Sequence, residues 1–497
     1  MLDQPHDHEH AAAKVASRRG LVLAAAMMAM FIAAVESSII ATAVPTIVAT
    51  LGGFQLFSWA FSAYLLTQTV TIPVYGRLAD LYGRKRVFYV GTSIFLIGCL
   101  LCGFAQDMIQ LILFRALQGF GAGAILPVAT TIVGDIYTGE ERAKIQGYLS
   151  SVWGIAAIIG PSLGAFLIAQ AHWAWIFWLN IPIGIAAMTM IGLFLRERGE
   201  PRHHQVDYLG AGLMMFGIGL LMFAMTQADE LPVPVILALI AVAVFALVAL
   251  IRRERRAAEP MLPAAIWKNR VIFIANWSGF GIGAVMMAGT AFLPAYLQGV
   301  LGYSPAIAGL VLTVMSLSWS FASTVSGQIM VRSSFWLTGT LGGLLLLSGS
   351  VVLAVMTPSL GIVWAAAGAI LMGMGLGACN VTFLVAIQSN VDWQIRGIAT
   401  SSNLFARMMG RSLGAAVFGA ILNFGVNRQM AGTADVIDRL LEPTFRDQFS
   451  PDELERLTGV IATSLHDVYL VGAVFAVATL AVIVSFPRRL RPSKRIR

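Results

Sequence analysis

Fourteen apolar runs, each long enough to cross a bilayer as a helix, dominate the chain. They cover 20–45, 56–79, 86–105, 108–133, 144–170, 174–195, 207–228, 231–251, 271–299, 305–329, 335–356, 360–388, 397–425 and 464–486. About 20 apolar residues are needed to span the hydrocarbon core. Only helices and closed barrels can satisfy their backbone polar groups there. The runs therefore predict an all-α membrane protein, a bundle of 14 transmembrane helices. Composition agrees: of 497 residues, 58% are hydrophobic and only 12% are charged. A soluble chain carries about twice that share of charge.

An even helix number puts both termini on one side. Of the 33 lysines and arginines, 26 fall on the side of the N-terminal tail and only four on the other: Arg428, Arg439, Arg446 and Arg456. The remaining three, Arg115, Arg407 and Arg411, fall inside apolar runs. Lysine and arginine collect on the cytoplasmic side of membrane proteins, so both termini are expected in the cytoplasm. The net charge of +8 is then a topology signal and argues against a nucleic-acid partner. The lipid bilayer is the expected environment.

The runs divide the chain into a polar cytoplasmic tail (1–19), a six-helix half (20–195), a two-helix insertion with charged linkers (196–270), a second six-helix half (271–486) and a basic cytoplasmic tail (487–497). Repeated halves with an inserted pair suggest a transporter whose substrate site lies between the halves. The first run is too long for a signal-peptide core and is expected to remain as a membrane helix. An acidic extracytoplasmic loop, 426–463, precedes the last helix. Its Ser-Pro-Asp-Glu at 450–453 reads as a capping box with proline at the first helical position, so a surface helix is expected within that loop. Cys99 and Cys102 stand two apart inside an apolar run, where packing is expected rather than redox chemistry. No phosphate-binding loop, metal-ligand spacing or nucleophile triad stands out. The sequence thus points away from an enzyme and from ATP-driven transport, and toward no metal and no cofactor.

Three groups of polar residues interrupt the apolar pattern. Glu36 stands in FIAAVESSIIATAVPTI, and Arg115 stands at similar depth in RALQGFGAG. Ionisable groups at such depth typically face the interior and mark ion paths. Desolvation disfavours the charged carboxylate, whereas a nearby arginine favours it. Glu36 is therefore a candidate proton carrier tuned by Arg115; a static ion pair is the structural alternative. In GRLADLYGRKRV, Gly76 and Gly83 permit close approach and a tight turn, and Arg84 and Lys85 anchor the loop. Asp80 sits at the carboxyl end of its helix, where the dipole disfavours it. A neighbouring helix N-terminus or an arginine must compensate. In GPSLGA, Gly160 and Gly164 make a small-residue face and Pro161 bends the helix. Arg407 and Arg411, four residues apart, share a helix face. Arg411 has three open readings: reaching the outer interface, binding an anionic substrate, or pairing with Glu36. Tyr64, Gln68, Gln118, Asn276, Trp277 and Asn380 complete, with the two arginines, a set of candidate cavity residues.

The Gly76–Val87 loop resembles the signature loop of the major facilitator superfamily, with every motif position filled. ESSIIATAVPTI resembles the helix 1 motif of its fourteen-helix drug:proton antiporter branch, with Glu36 where aspartate is commoner. RALQGFGAG and GPSLGA resemble the helix 4 and helix 5 antiporter motifs, the latter with Ala156 and Ala165 at positions often glycine. WIFWLNIPIG and FLPAYLQGVLGYSPAIAGL also resemble this branch. Arg411 departs from it, standing where a small residue is expected. The resemblance implies proton-coupled efflux of drugs or other amphipathic small molecules by alternating access across a bacterial inner membrane. It implies a cytoplasmic gate around Asp80, a helix 5 face that seals the outward side, and a monomer driven by the proton gradient alone. The alternative is a dedicated exporter of one metabolite, siderophore, lipid or antibiotic, whose substrate Arg411 hints is anionic. Whether an envelope partner joins through loop 426–463 stays open.

Overall fold

The computed structural model describes residues 18–36, 39, 47, 50–51, 57–137, 139–170, 172–197, 207–227, 231–257, 260, 266, 268–429, 450–488 and 490. Residues 1–17, most of 37–56, the linker 198–206, hairpin residues 228–230, loop residues 430–449, and residues 489 and 491–497 are among those outside the described residues. Among those described, fourteen long helices follow in order and no strand occurs. They are α1 Arg18–Glu36, α2 Phe57–Tyr82, α3 Arg84–Cys102, α4 Met108–Ile136, α5 Gly139–Gln170, α6 Trp175–Phe194, α7 Tyr208–Thr226 and α8 Val233–Glu254. Then come α9 Arg270–Val300, α10 Pro305–Arg332, α11 Phe335–Ala354, α12 Gly361–Asn390, α13 Arg396–Gln429 and α14 Pro451–Val484. Each overlaps one apolar run. Twelve are long and apolar enough to cross a membrane. The other two, α2 and α5, are as long: α2 carries Thr67, Gln68, Thr69, Thr71, Arg77 and Asp80, and α5 opens on Glu140, Glu141, Arg142 and Lys144 before an apolar stretch without a charge.

Local chemistry fixes the helix starts. The Asp107 carboxylate accepts from Gln110 N at 2.8 Å to open α4, and the Asp207 carboxylate accepts from Gly210 N at 2.9 Å to open α7. Ser304 and Ser334 cap α10 and α11 in the same way. Each satisfies an N–H group that the helix itself leaves free. The sharp turn from α2 into α3 is made at Gly83, whose φ of +92° is left-handed backbone that suits glycine.

The last helix differs from the expectation. The Ser450–Glu453 capping box is present, but it opens α14 itself, not a separate surface helix. No proline interrupts 452–484, so one 34-residue helix runs from the loop into the apolar segment. Hydropathy marks where a helix enters lipid, not where it begins.

Two apolar cores form. One draws on α1–α4 and α6, with Ile32, Phe88, Phe95 and Phe177 at its centre. The other draws on α9–α14, with Tyr296, Phe335, Phe383 and Phe418. Between them, α5 packs on α10 and α2 packs on α13. The α7–α8 pair attaches through α7, whose Ala211, Met214 and Ile218 pack with Val70 and Val74 of α2 and Met409 of α13. α8 is mostly exposed. One end of the bundle gathers the starts of α1, α3, α5 and α13 and the end of α10, with Arg18, Arg84, Arg142, Arg396 and Arg332; it is called the basic end below.

Candidate functional site

Glu36 is wholly buried at the end of the described part of α1. Counted along the helices from the basic end, Glu36 lies about 27 Å in and Arg115 about 32 Å in. The similar depths put them in contact: Arg115 Nη1 donates to Glu36 Oε1. Asn180 Nδ2, from α6, donates to Glu36 Oε2 at 2.7 Å. Both carboxylate oxygens are thus held by donors. Arg115 Nη1 also donates to Gln118 Oε1 at 2.7 Å, and its guanidinium lies over the Tyr64 ring, 4.3 Å from the centroid. Gln118 Nε2 in turn donates to Cys99 Sγ at 3.1 Å. A buried charge pair survives in apolar surroundings only when its remaining donors and acceptors are satisfied, and this one is closed by hydrogen bonds and a cation–π contact. Helices α1, α2, α3, α4 and α6 all contribute, so the site lies inside the first half. Tyr64 and Gln118, expected in a substrate cavity, take part in this cluster. Asn180 was not singled out from the sequence, although it is the one strongly polar residue in WIFWLNIPIG.

A second cluster joins the two halves at the basic end. The Asp80 carboxylate accepts from Gly397 N and Ile398 N, both at 2.8 Å, and from Arg84 Nη2 at 2.8 Å. Both compensations that its place on α2 demands are therefore present: the N-terminus of α13 and an arginine. Arg84 donates further to Asp135 Oδ2 at 3.0 Å, Ala79 O at 3.0 Å and Trp393 O at 2.6 Å, and its guanidinium stacks 3.9 Å from the Trp393 ring centroid. Arg396, the first residue of α13, pairs with the other oxygen of Asp135. Gly76 lets α2 approach: a Cβ there would stand 1.9 Å from Ser401 Oγ and 2.9 Å from Gly397 O. Lys85 ties the loop to α6: its backbone N–H donates to Glu197 Oε1, just past that helix, at 3.0 Å, and its Nζ donates to Gly192 O at 2.6 Å. Asp135, Trp393 and Arg396 were missed in the sequence because their partners are up to about 310 residues away, so spacing carries no trace of them.

More contacts between the halves follow at the same end. Arg142 Nη1 donates to Gln388 O at 2.8 Å, and Gln388 Nε2 donates to Thr130 O at 3.1 Å. Small residues bring α5 against α10: Gly147 meets Thr324, Gly154 meets Ser320, and Gly327 meets Ala143. Gly160 and Gly164 are buried nearly two and nearly three turns beyond Gly154 on α5, which continues as a helix through Pro161. The close approaches described between α5 and α10 thus fall before the Gly160–Gly164 stretch.

The other candidate cavity residues separate. Asn276 is buried and donates to Ser402 Oγ at 3.1 Å, tying α9 to α13. Trp277 is exposed and stands edge-on to Phe273 and Phe280. Gln68 is half-buried. Arg407 Nη1 donates to Asn380 Oδ1, and both residues are half-buried, as is Arg411.

A bundle of long helices in two halves, joined at one end and carrying a buried ion pair inside one half, is the geometry of a transporter. The family model for the Major Facilitator Superfamily matches residues 26–415. The chain belongs to this superfamily. It is 30% identical over 513 residues to the multidrug transporter protein MdtP of Bacillus subtilis (strain 168), covering 96% of this chain and 95% of that one. It is 36% identical over 414 residues to multidrug resistance protein 3 of the same organism, covering 82% and 80%. Among solved structures, the human organic anion transporter MFSD10 matches with a TM-score of 0.63 over 94% of this chain and 99% of that one; at 13% identity the likeness is one of fold. The chain is a multi-pass membrane protein of a transporter family.

Proposed function

We propose that this transporter exports drugs or other amphipathic small molecules across the bacterial cytoplasmic membrane in exchange for protons. The names of the two Bacillus subtilis relatives support the cargo. The observation that carries the coupling is the fully buried Glu36, held by Arg115 and Asn180. The lysine and arginine distribution supports placing the basic end in the cytoplasm. On this reading all fourteen helices cross the membrane. The halves joined at the basic end then correspond to a state closed toward the cytoplasm.

Coupling follows from the cost of leaving a charge alone. A proton on Glu36 removes the counter-charge of Arg115, and an uncompensated buried charge costs about 3–5 kcal/mol. The protonated state is therefore favoured only in a conformer that re-solvates Arg115. Glu36 takes its proton from the outer side, the substrate leaves, and the halves rock. The Asp80–α13 contacts break as the cytoplasmic side opens, and the proton is released inward as the next substrate binds. The test is uptake into inverted membrane vesicles, with cationic, neutral and anionic compounds in parallel. Accumulation that needs a proton gradient and collapses with a protonophore supports the proposal. Accumulation that needs ATP hydrolysis, or none with any compound, overturns it. The arginines on α13 favour one second reading, a dedicated exporter of a single anionic metabolite; the same panel separates it by its breadth.

A further inference from the structure

Among the described residues, Arg407 and Arg411 lie deep in the bundle without a counter-charge. Counted from Arg396 at the basic end, they stand about 16 Å and about 22 Å along α13, within a hydrocarbon core about 30 Å thick. The interior carboxylates near them are already taken. Glu36 is held by Arg115 and Asn180. Asp80 is held by Arg84 and the α13 N-terminus. Asp135 is shared by Arg84 and Arg396. Of the helices packed against α13, α9 and α12 contain no acidic residue. Asp207 on α7 pairs with Arg253, and Asp467 on α14 is exposed. Among the described residues Arg407 bonds only to the neutral Asn380, and Arg411 makes no side-chain bond. Arg411 makes no bond to Glu36, whose two oxygens accept from Arg115 and Asn180.

Isolated charges at this depth are costly and are retained where they serve a pathway or a ligand. We propose that Arg407 and Arg411, with Asn380, form the head-group site for an amphipathic organic anion. This names the cargo of the export proposed above and rests on that reading. The guanidinium groups of residues four apart on one helix face can share one carboxylate, sulfonate or phosphate, each contributing a planar fork of donors. With Asn380 Oδ1 accepting from Arg407, the Asn380 amide nitrogen remains to donate to the same anion. Half-burial of all three residues leaves them reachable, unlike the sealed Glu36 cluster. Half-buried Met408, three residues before Arg411 on the same helix, supplies adaptable apolar surface for part of such a molecule.

The test uses the full chain in lipid nanodiscs, with no gradient, and two dyes on one ring scaffold: fluorescein as the anion and rhodamine 123 as the cation. Fluorescence anisotropy gives the affinities for wild type, Arg411→Gln, Arg411→Lys and Arg407→Gln, each checked for a monodisperse elution profile. The expected result is fluorescein binding that weakens about tenfold or more in Arg411→Gln and Arg407→Gln, as loss of a charge-assisted pair implies. Arg411→Lys should restore most of it, and rhodamine 123 should not weaken. Equal fluorescein affinity in wild type and Arg411→Gln overturns the site, as does a wild type that binds only rhodamine 123. Binding as expected with no gradient-driven flux in vesicles would instead remove the export reading and leave the site standing.

Discussion

Asp80→Asn should open the basic end. The Asp80 carboxylate receives two backbone N–H groups of α13 and one Arg84 N–H, all at 2.8 Å. An asparagine of the same shape keeps one acceptor oxygen, turns a donor toward the second N–H, and removes the charge facing Arg84 and the helix dipole. Hydrogen bonds to charged groups are each worth about 1.5–3 kcal/mol net. Arg84 keeps Asp135, Ala79 O and Trp393 O, which offsets part of the loss. A net cost of about 2–3 kcal/mol to the joined state is therefore expected, or about a 30- to 150-fold rise in the open population. The assay is alkylation of Ser401→Cys by a membrane-impermeant maleimide applied from the basic side. Ser401 is fully buried at the α2–α13 contact, and the three native cysteines are buried. The labelling rate should rise by tens of fold in Asp80→Asn. An unchanged or slower rate would refute the claim that Asp80 holds the halves together.

Gly76→Ala places a Cβ against Ser401 and Gly397 O, so it should raise the same labelling signal, read at Thr324→Cys, and Ser401→Gly should partly reverse it. Arg84→Lys should cut transport more than tenfold in vesicle uptake, because a single ammonium cannot reach Asp80, Asp135 and two carbonyls at once. Asn180→Leu strips the donor from Glu36 Oε2 and should lower the thermal midpoint in detergent, at a cost of about 1–3 kcal/mol for the bared oxygen. Gly83→Ala forces a side chain into a φ of +92° and should cost about 1–2 kcal/mol in the same measurement.

The architecture was legible because lipid imposes it: a helix must be apolar for about 20 residues, and each of the fourteen runs holds one of the long helices among the described residues. Depth along a helix was equally readable, and it brought Glu36 to Arg115. The demand at Asp80 was readable as a local misfit between charge and dipole, although its answer, the α13 N-terminus, lies more than 300 residues on. What stayed hidden was lateral. Which neighbour a polar side chain meets depends on helix rotation and order in the bundle, and an apolar helix with no polar stripe does not encode its rotation. The sequence therefore carried no sign that Tyr64 and Gln118 line Arg115, and Asn180 passed as one residue of a motif. The start of α14 was misjudged for another reason: polar helical turns outside lipid leave no hydropathy signal, and only the cap at Ser450 marks them.

The central claim is that Glu36 carries the proton. Proton movement should be followed in liposomes holding the purified protein under an imposed pH gradient, with cationic, neutral and anionic compounds, for wild type and Glu36→Gln. Substrate-triggered proton release in wild type that vanishes in Glu36→Gln, with the variant still binding substrate, is the predicted result. Release that persists in Glu36→Gln would contradict the account and reduce the Glu36–Arg115 pair to a structural brace.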